Sequence, residues 1–322
     1  MAKPVLVTGG AGFIGLHLVD RLVAEGAEVV VVDDFRRGRQ DRLFEAVAAP
    51  CRVVEADLAD RHSLAPLGEF GDVYHLAASV GAALVTWNPA EVLRNNVLST
   101  VHVLDHAAAG GADRVWLAST SEVYAASVER GLASVPTAET VPVLFEARYQ
   151  PRSAYAVSKH VGEQLAHAFR HQHGLQVVAC RFHNVYGPRM GHDHVIPQLV
   201  ARILDRVDPF PVYGDQRRSY CYVDDALNML LQLRDVPNPP VVVNIGNGDE
   251  EISAADLARR LFVVAGWSAS VEVHPAPPGS PDRRCPDIGL AAELTGLRPA
   301  WPLDKGLEET FAWYRHEAGA PA

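Results

Sequence analysis

Short apolar runs alternate with helix-length patterns through the first 185 residues, and this alternation limits the fold more than any other feature of the chain. The runs are "PVLVTG", "EVVVVDD", "RVVEAD", "DVYHLAA", "RVWLAST" and "QVVACRF". They lack the apolar–polar alternation of a half-solvated sheet, so they suit strands covered on both faces in a parallel sheet. Between them lie "FIGLHLVDRLVAEG" and "AEVLRNNVLSTVHVLDHAAAGG", both of helix length and both ending at Gly. This pattern predicts an α/β fold, a doubly wound parallel sheet with helices on both faces. After residue 185 Pro, Gly and Arg become frequent, as in "DPFPVYGDQRRS" and "HPAPPGSPDRRCP". The expected organisation is a sheet domain over 1–185 and a smaller, interleaved lobe over 186–322. Residues 241–247, within "PVVVNIGNG", are expected to return to the main sheet.

The bulk numbers exclude several classes of function. No run of ~18 uncharged apolar residues is present, so no membrane span is expected. The start, "MAKPVLVTGG", leads straight into a strand without the pattern of a signal peptide. The four cysteines are scattered and form no CxxC pair, which disfavours a zinc site or a disulfide framework and fits a cytoplasmic protein. A formal charge of −10 argues against nucleic acid as the main partner. His192, Asp193 and His194 lack a well-placed further ligand, so no metal is expected.

"LVTGGAGFIG" sets Gly9, Gly12 and Gly15 between the first strand and the first helix. Such glycines permit a tight turn, backbone approach to a pyrophosphate, and close helix–strand packing. Asp33 ends the second strand, where a carboxylate accepts ribose hydroxyls and repels a 2′-phosphate; NAD is therefore expected rather than NADP, although Arg36 and Arg37 follow closely. Asp57 ends the third strand at the expected adenine rim, and "HLAAS" after the fourth offers small side chains beneath a cofactor.

In "RSAYAVSKH", Ser153 is placed to cap a helix running to Gly174, and Tyr155 and Lys159 share one face of it. A phenol of ordinary pKa ~10 is a poor base at neutral pH. A nearby ammonium and a positive nicotinamide ring both favour the phenolate.

"TGGAGFIG", Asp33, "ASTSEVY", "YAVSK" and "RFHNVYGPRM" occur in that order, followed by "VYGDQRRSYCYVDDAL", "NIGNG" and "DRRCPDI". With these motifs the chain resembles the extended short-chain dehydrogenases/reductases that act on nucleotide sugars. The resemblance implies that Tyr155 is the base taking a proton from a sugar hydroxyl, usually at C4. Lys159 then tunes Tyr155 and binds the nicotinamide ribose, and Thr120 hydrogen-bonds the same hydroxyl or the phenol. Asn96 corresponds to the family's helix asparagine that orders the active-site backbone. The implied cofactor set also includes Phe13, Ile14, Asp34, Leu58, Leu76, Ala77, Ala78 and Phe182. For the substrate, Asn184 resembles a ligand of the pyrophosphate, Arg218 and Arg284 resemble nucleotide clamps, and Arg189 belongs to the same set. The base is expected over Val195 and Tyr213, with UDP the commonest carrier. The helices at about 89–109 and 153–172 resemble the family's dimer-forming pair, which implies a homodimer.

Ser121 and Glu122 bear on which reaction follows oxidation. A 4,6-dehydratase resembles Thr-Asp-Glu at this place, and Ser121 replaces its Asp. Thr120-Ser121-Glu122, Tyr155, Lys159 and Arg284 in "RRCPDI" match the uronate decarboxylases. Against that reading, "ASVGAALVTW" is small and apolar where those enzymes carry Pro and a Tyr, and "GHDHVIPQL" lacks their Arg. The sequence therefore favours an NAD-dependent 4-epimerase of a nucleotide sugar. Decarboxylation, C3 or C5 epimerisation and dehydration are the alternatives, and a catalytically silent NAD-binding sensor is a distant one.

Overall fold

The computed structural model describes residues 3–147, 150–151, 153–276 and 281–319. Its strands are β1 (Val5–Thr8), β2 (Val29–Asp33), β3 (Arg52–Glu55), β4 (Asp72–His75), β5 (Arg114–Thr120) and β6 (Gln176–Phe182), joined by Val242–Ile245 in one seven-stranded sheet. The order is Val242–Ile245, β6, β5, β4, β1, β2, β3. The pairs β1–β2, β1–β4, β2–β3 and β4–β5 are parallel. The doubly wound α/β reading is therefore correct, and the strand "PVVVNIGNG" does join the sheet. The chain reverses direction of travel between β1 and β4. That switch point leaves a crevice at the carboxyl ends of the strands, where ligands of such sheets bind.

Burial explains why these segments are strands. Every residue of β2 is buried, and β3 at the sheet edge is mostly exposed. Leu6, Val30, Val32, Val73, Val115, Leu117 and Val177 form the centre of the core. Each such side chain contributes about 1.5–3 kcal/mol on leaving water.

The helices of this part are α1 (Phe13–Ala24), α2 (Arg42–Ala48), α3 (Ala82–Trp87) and α4 (Pro89–Ala109), and, after α5 (Ala125–Glu129), α6 (Ser153–His173). Residues 82–87, within the small, apolar "ASVGAALVTW", form the short helix α3. Helices α4 and α6 pack on each other. Their buried stripes are rich in small and polar residues: Asn95, Asn96, Ser99 and Thr100 on α4, and Ala154, Ala156, Ser158, Lys159, Gly162 and Glu163 on α6. Ser153 is the first residue of α6 rather than its cap; its hydroxyl donates to the Gln150 carbonyl at 2.7 Å.

The chain forms two compact units, and their limits differ from the expected division at 185/186. One comprises Met1–Val123, Leu144–Arg181 and Leu233–Val243; the other comprises Tyr124–Val143, Phe182–Gln232 and Asn244–Ala322. The chain leaves the sheet as β6 ends, which sets the boundary at 181/182. Residues 124–143 belong to the second unit because Asn244 gathers them. Its amide nitrogen donates to the Thr137 and Asp287 carbonyls at 3.0 Å each, its backbone N–H donates to Glu139 at 2.8 Å, and its oxygen accepts from the Tyr124 hydroxyl at 2.8 Å. In the same unit Arg217–Ser219 lies between Glu251–Ser253 and Arg283–Arg284 in a three-stranded sheet. Helix Val195–Leu204 buries Ile196, Leu199, Val200 and Ile203 along one face.

Candidate active site

The glycine-rich turn follows β1 at the switch point. Gly9 has φ +73°, and a Cβ there would lie 2.6 Å from the Ala77 nitrogen, so only glycine fits against the segment after β4. Gly12 begins α1 with no side-chain cap. The first turn of the helix thus presents N–H groups of the kind that bind a pyrophosphate. Phe13 and Ile14 are partly buried in that turn, and Phe13 meets His17 edge-on at 5.6 Å.

Asp33 is buried at 7% exposure. Its Oδ2 accepts from Ala11 N and its Oδ1 from Phe35 N, both at 2.9 Å, so the carboxylate braces the turn. Asp34 accepts from Arg36 N at 3.0 Å. Asp57 lies just beyond β3 and pairs with Arg36 at 2.6 Å. Partial burial works to raise its carboxyl, but the Ala59 N–H and Arg36 outweigh it and hold the group below the usual range. Arg36 is thereby committed to a carboxylate rather than offered to a 2′-phosphate. Leu58 is buried, and its carbonyl accepts from His102 at 2.8 Å. Leu76, Ala77 and Ala78 follow β4, and Phe182 ends β6; all four are partly exposed. A turn that excludes a Cβ, an uncapped helix start and a strand-end Asp fit a dinucleotide without a 2′-phosphate.

Thr120 ends β5 and is buried, and Ser121 after it is 3% exposed. The Thr120 hydroxyl accepts from Glu122 N at 3.2 Å and hydrogen-bonds Tyr155, whose ring lies under Lys159 with Nζ 5.7 Å from its centroid. Expectation and structure differ on the phenol. Burial first, and then the Glu122 charge, push the Tyr155 pKa above its ordinary value, while Thr120 and Arg37 work the other way. Lys159 is brought down by burial to about 8. The positive ring of an oxidised nicotinamide beside the phenol would favour the phenolate.

Asn96 hydrogen-bonds both the segment after β4 and α6. Its oxygen accepts from Ser79 N at 2.7 Å, and its nitrogen donates to Ser79 O at 3.0 Å and to the Ser158 hydroxyl at 3.1 Å. Ser158 donates in turn to the Tyr155 carbonyl at 2.7 Å. The Asn96 amide therefore ties the segment after β4 to α6. His75 at the end of β4 is held by Thr8 at 2.8 Å and Thr100 at 3.3 Å; burial, with Lys159 nearby, lowers its pKa to about 3, so it is neutral.

One group escaped the sequence reading. Glu163, one turn after Lys159, is 1% exposed and receives Ser119 at 2.6 Å, Arg181 through two bonds of 2.7 Å, and His160 at 3.0 Å. Burial alone would raise its pKa, but Arg181, His160 and Ser119 bring it to about 2. The spacing Lys159–Glu163 and the Arg within "ACRF" were the available signals.

In the second unit, Arg218 and Arg284 are register partners on parallel strands. Arg218 donates to the Pro281 carbonyl at 2.7 Å and the Arg217 carbonyl at 2.8 Å, so part of its fork serves the backbone. Asn184, with φ +40°, donates to Ser219 O at 2.9 Å. Arg189 is buried at 3% exposure, which leaves it little surface for a ligand. Val195 begins its helix and is exposed. Tyr213 is 55% exposed, stacks on His274 at 5.3 Å, and has the Arg202 guanidinium 5.5 Å from its ring centroid. Among the described residues no cluster of His, Cys, Asp or Glu is arranged to hold a metal, and no helix is long and apolar enough to cross a membrane.

The family model described as "NAD dependent epimerase/dehydratase family" matches residues 5–246. A UDP-glucuronic acid decarboxylase of Xenopus tropicalis is 33% identical over 98% of this chain and 73% of its own length. A solved UDP-galactose 4-epimerase is 32% identical with TM-score 0.81, covering 98% of this chain and 99% of that one. A solved NAD-dependent NDP-hexosamine 5,6-dehydratase of tunicamycin biosynthesis is 32% identical with TM-score 0.83, covering 98% of each chain.

Proposed function

The chain belongs to the NAD dependent epimerase/dehydratase family, and within it we propose an NAD-dependent decarboxylase of a nucleotide-linked uronic acid, with UDP-glucuronic acid as substrate. The sequence alone favoured C4 epimerisation. The decarboxylase relative matched over nearly the whole chain supports reversing that order. The observation that carries the proposal is that full-length match, and Glu122, in the turn just after β5, adds a charge felt at the Tyr155 phenol. Simple C4 epimerisation uses one acid/base, and the Glu122 carboxylate is a second titratable group whose charge is felt at the phenol.

The glycine turn and Asp33 would hold NAD, which would supply the hydride acceptor for C4 and the hydride for the later reduction. Tyr155, hydrogen-bonded by Thr120 and electrostatically supported by Lys159, takes the proton from the C4 hydroxyl. Oxidation at C4 makes the C6 carboxylate part of a β-keto acid. The C5–C6 bond then breaks, carbon dioxide leaves, and the electron pair passes into the C4 carbonyl as an enolate. Glu122 is the acid assigned to return a proton to C5. Tyr155 gives its proton back as C4 is reduced, so one proton is consumed for each carbon dioxide released. Arg284 and Arg218 are assigned to the diphosphate, where a planar fork binds two oxygens at once. A homodimer through α4 and α6 belongs to the same proposal.

Supplying UDP-glucuronic acid labelled with carbon-13 at C6 tests the reading. Labelled carbon dioxide and a UDP-pentose are expected; a labelled hexuronate alone overturns it. C4 epimerisation is the second reading, supported by the solved 4-epimerase at similar identity and by the missing Arg in "GHDH".

A further inference from the structure

Two arginines follow Asp33, and they do different things. Arg36 turns to Asp57 at 2.6 Å. Arg37 reaches in another direction, and its guanidinium donates to the carbonyl of Val80 in the segment after β4.

Both ends of this reach are anchored. At its root, Arg39 N donates to Ala11 O at 3.2 Å, which ties the loop to the glycine-rich turn. A Cβ on Gly38 would lie 2.7 Å from both the Ala11 Cβ and the Asp33 Oδ1, so the loop lies directly against that turn. At its tip, Val80 follows Ser79, whose N–H and carbonyl are both held by Asn96. Sheet order fixes what lies between. The loop after β2 and the segment after β4 flank β1, because the strands run β4, β1, β2. The Arg37 side chain therefore crosses the carboxyl end of β1, beside the start of α1, which has no side-chain cap.

We infer that Arg37 is a cationic strap that closes over the pyrophosphate of the bound dinucleotide and slows its release. A guanidinium suits both tasks, since it is a permanent cation whose planar fork matches both a carbonyl and phosphate oxygens. The same cation acts favourably on the Tyr155 phenolate, which places its charge toward the catalytic side of the crevice. Retention has a chemical purpose. A cofactor reduced in the first half of the cycle must stay until it reduces the same sugar in the second half; early escape strands the protein with a keto sugar. The inference rests on dinucleotide binding and holds whether the sugar is decarboxylated or epimerised.

The test is the release of NADH from the full-length protein, followed by the loss of its fluorescence when excess NAD+ is added. Arg37→Ala should release NADH at least tenfold faster than the parent, with Arg37→Lys between the two. The melting temperature of the cofactor-free protein should be unchanged in both variants. Release within twofold of the parent for Arg37→Ala overturns the inference. So does faster release accompanied by a lower cofactor-free melting temperature, because Arg37 would then be bracing the fold.

Discussion

Arg181 holds Glu163 through two hydrogen bonds of 2.7 Å, Nε to Oε1 and Nη2 to Oε2, with both side chains buried. The pair fixes α6 to β6, and Ser119, bonded to the same carboxylate, adds β5. Thr120 is the next residue after Ser119, and Lys159 lies one turn before Glu163. The ion pair therefore sets the separation of Thr120 and Lys159, two of the proposed catalytic residues, from behind.

Glu163→Gln leaves Arg181 buried without its counter-charge, and breaking such a pair costs about 3–5 kcal/mol. A clear fall in melting temperature at pH 7 should result. The pH dependence has a definite sign. The Glu163 pKa falls from 4.5 to about 2 on folding, so its stabilisation is complete above 4.5 and is lost as pH falls toward 2. Melting curves across that window should show the parent losing its advantage over the variant as acid is added. A constant difference would remove Glu163 as the source.

Lys159 carries its charge below about 8 and loses it above. The cation over the Tyr155 ring therefore fades on the alkaline side, and kcat should decline as pH rises through that value. Lys159→Arg keeps a charge that does not titrate below about 12. Its kcat should be lower, but the alkaline decline should move upward or vanish. An unchanged profile in the variant would assign the decline to another group.

Tyr155→Phe removes the proposed proton acceptor and little else. General-base catalysis contributes typically about 10²–10⁴-fold, and kcat should fall by that amount while NAD binding persists. Turnover near the parent level would remove the phenol from the mechanism.

Cofactor choice depends on Asp57 as well as Asp33. Asp57→Ala releases Arg36, and adding Asp33→Ser removes the carboxylate that repels a 2′-phosphate. The double variant should gain NADP over NAD by at least about tenfold relative to the parent, or ~1.4 kcal/mol. Titration of both cofactors by calorimetry measures it. An unchanged ratio would mean that Arg36 does not face the 2′ position.

The sheet and the cofactor end were legible because they rest on local signals. Four valines before Asp33 read as a buried strand, and glycines at fixed spacing read as a phosphate turn. Tyr155 and Lys159 were legible for the same reason, being four residues apart on one helix. Glu163 was not, because its meaning comes from Ser119 and Arg181, which approach it only after folding. The shift of Tyr124–Val143 into the second unit is of the same kind, since Asn244, more than a hundred residues on, holds that segment. The Tyr155 pKa went against expectation because burial and the Glu122 charge depend on depth and distance, which spacing does not report.

The fate of the hydrogen at C5 separates the two sugar chemistries most directly. The protein would be incubated with NAD and UDP-glucuronic acid in deuterium oxide, and the product read by NMR. A UDP-pentose with one deuterium at C5, formed far more slowly by Glu122→Gln, is the expected result. A hexuronate that keeps its carboxylate, carries ordinary hydrogen at C5 and is inverted at C4 would contradict it.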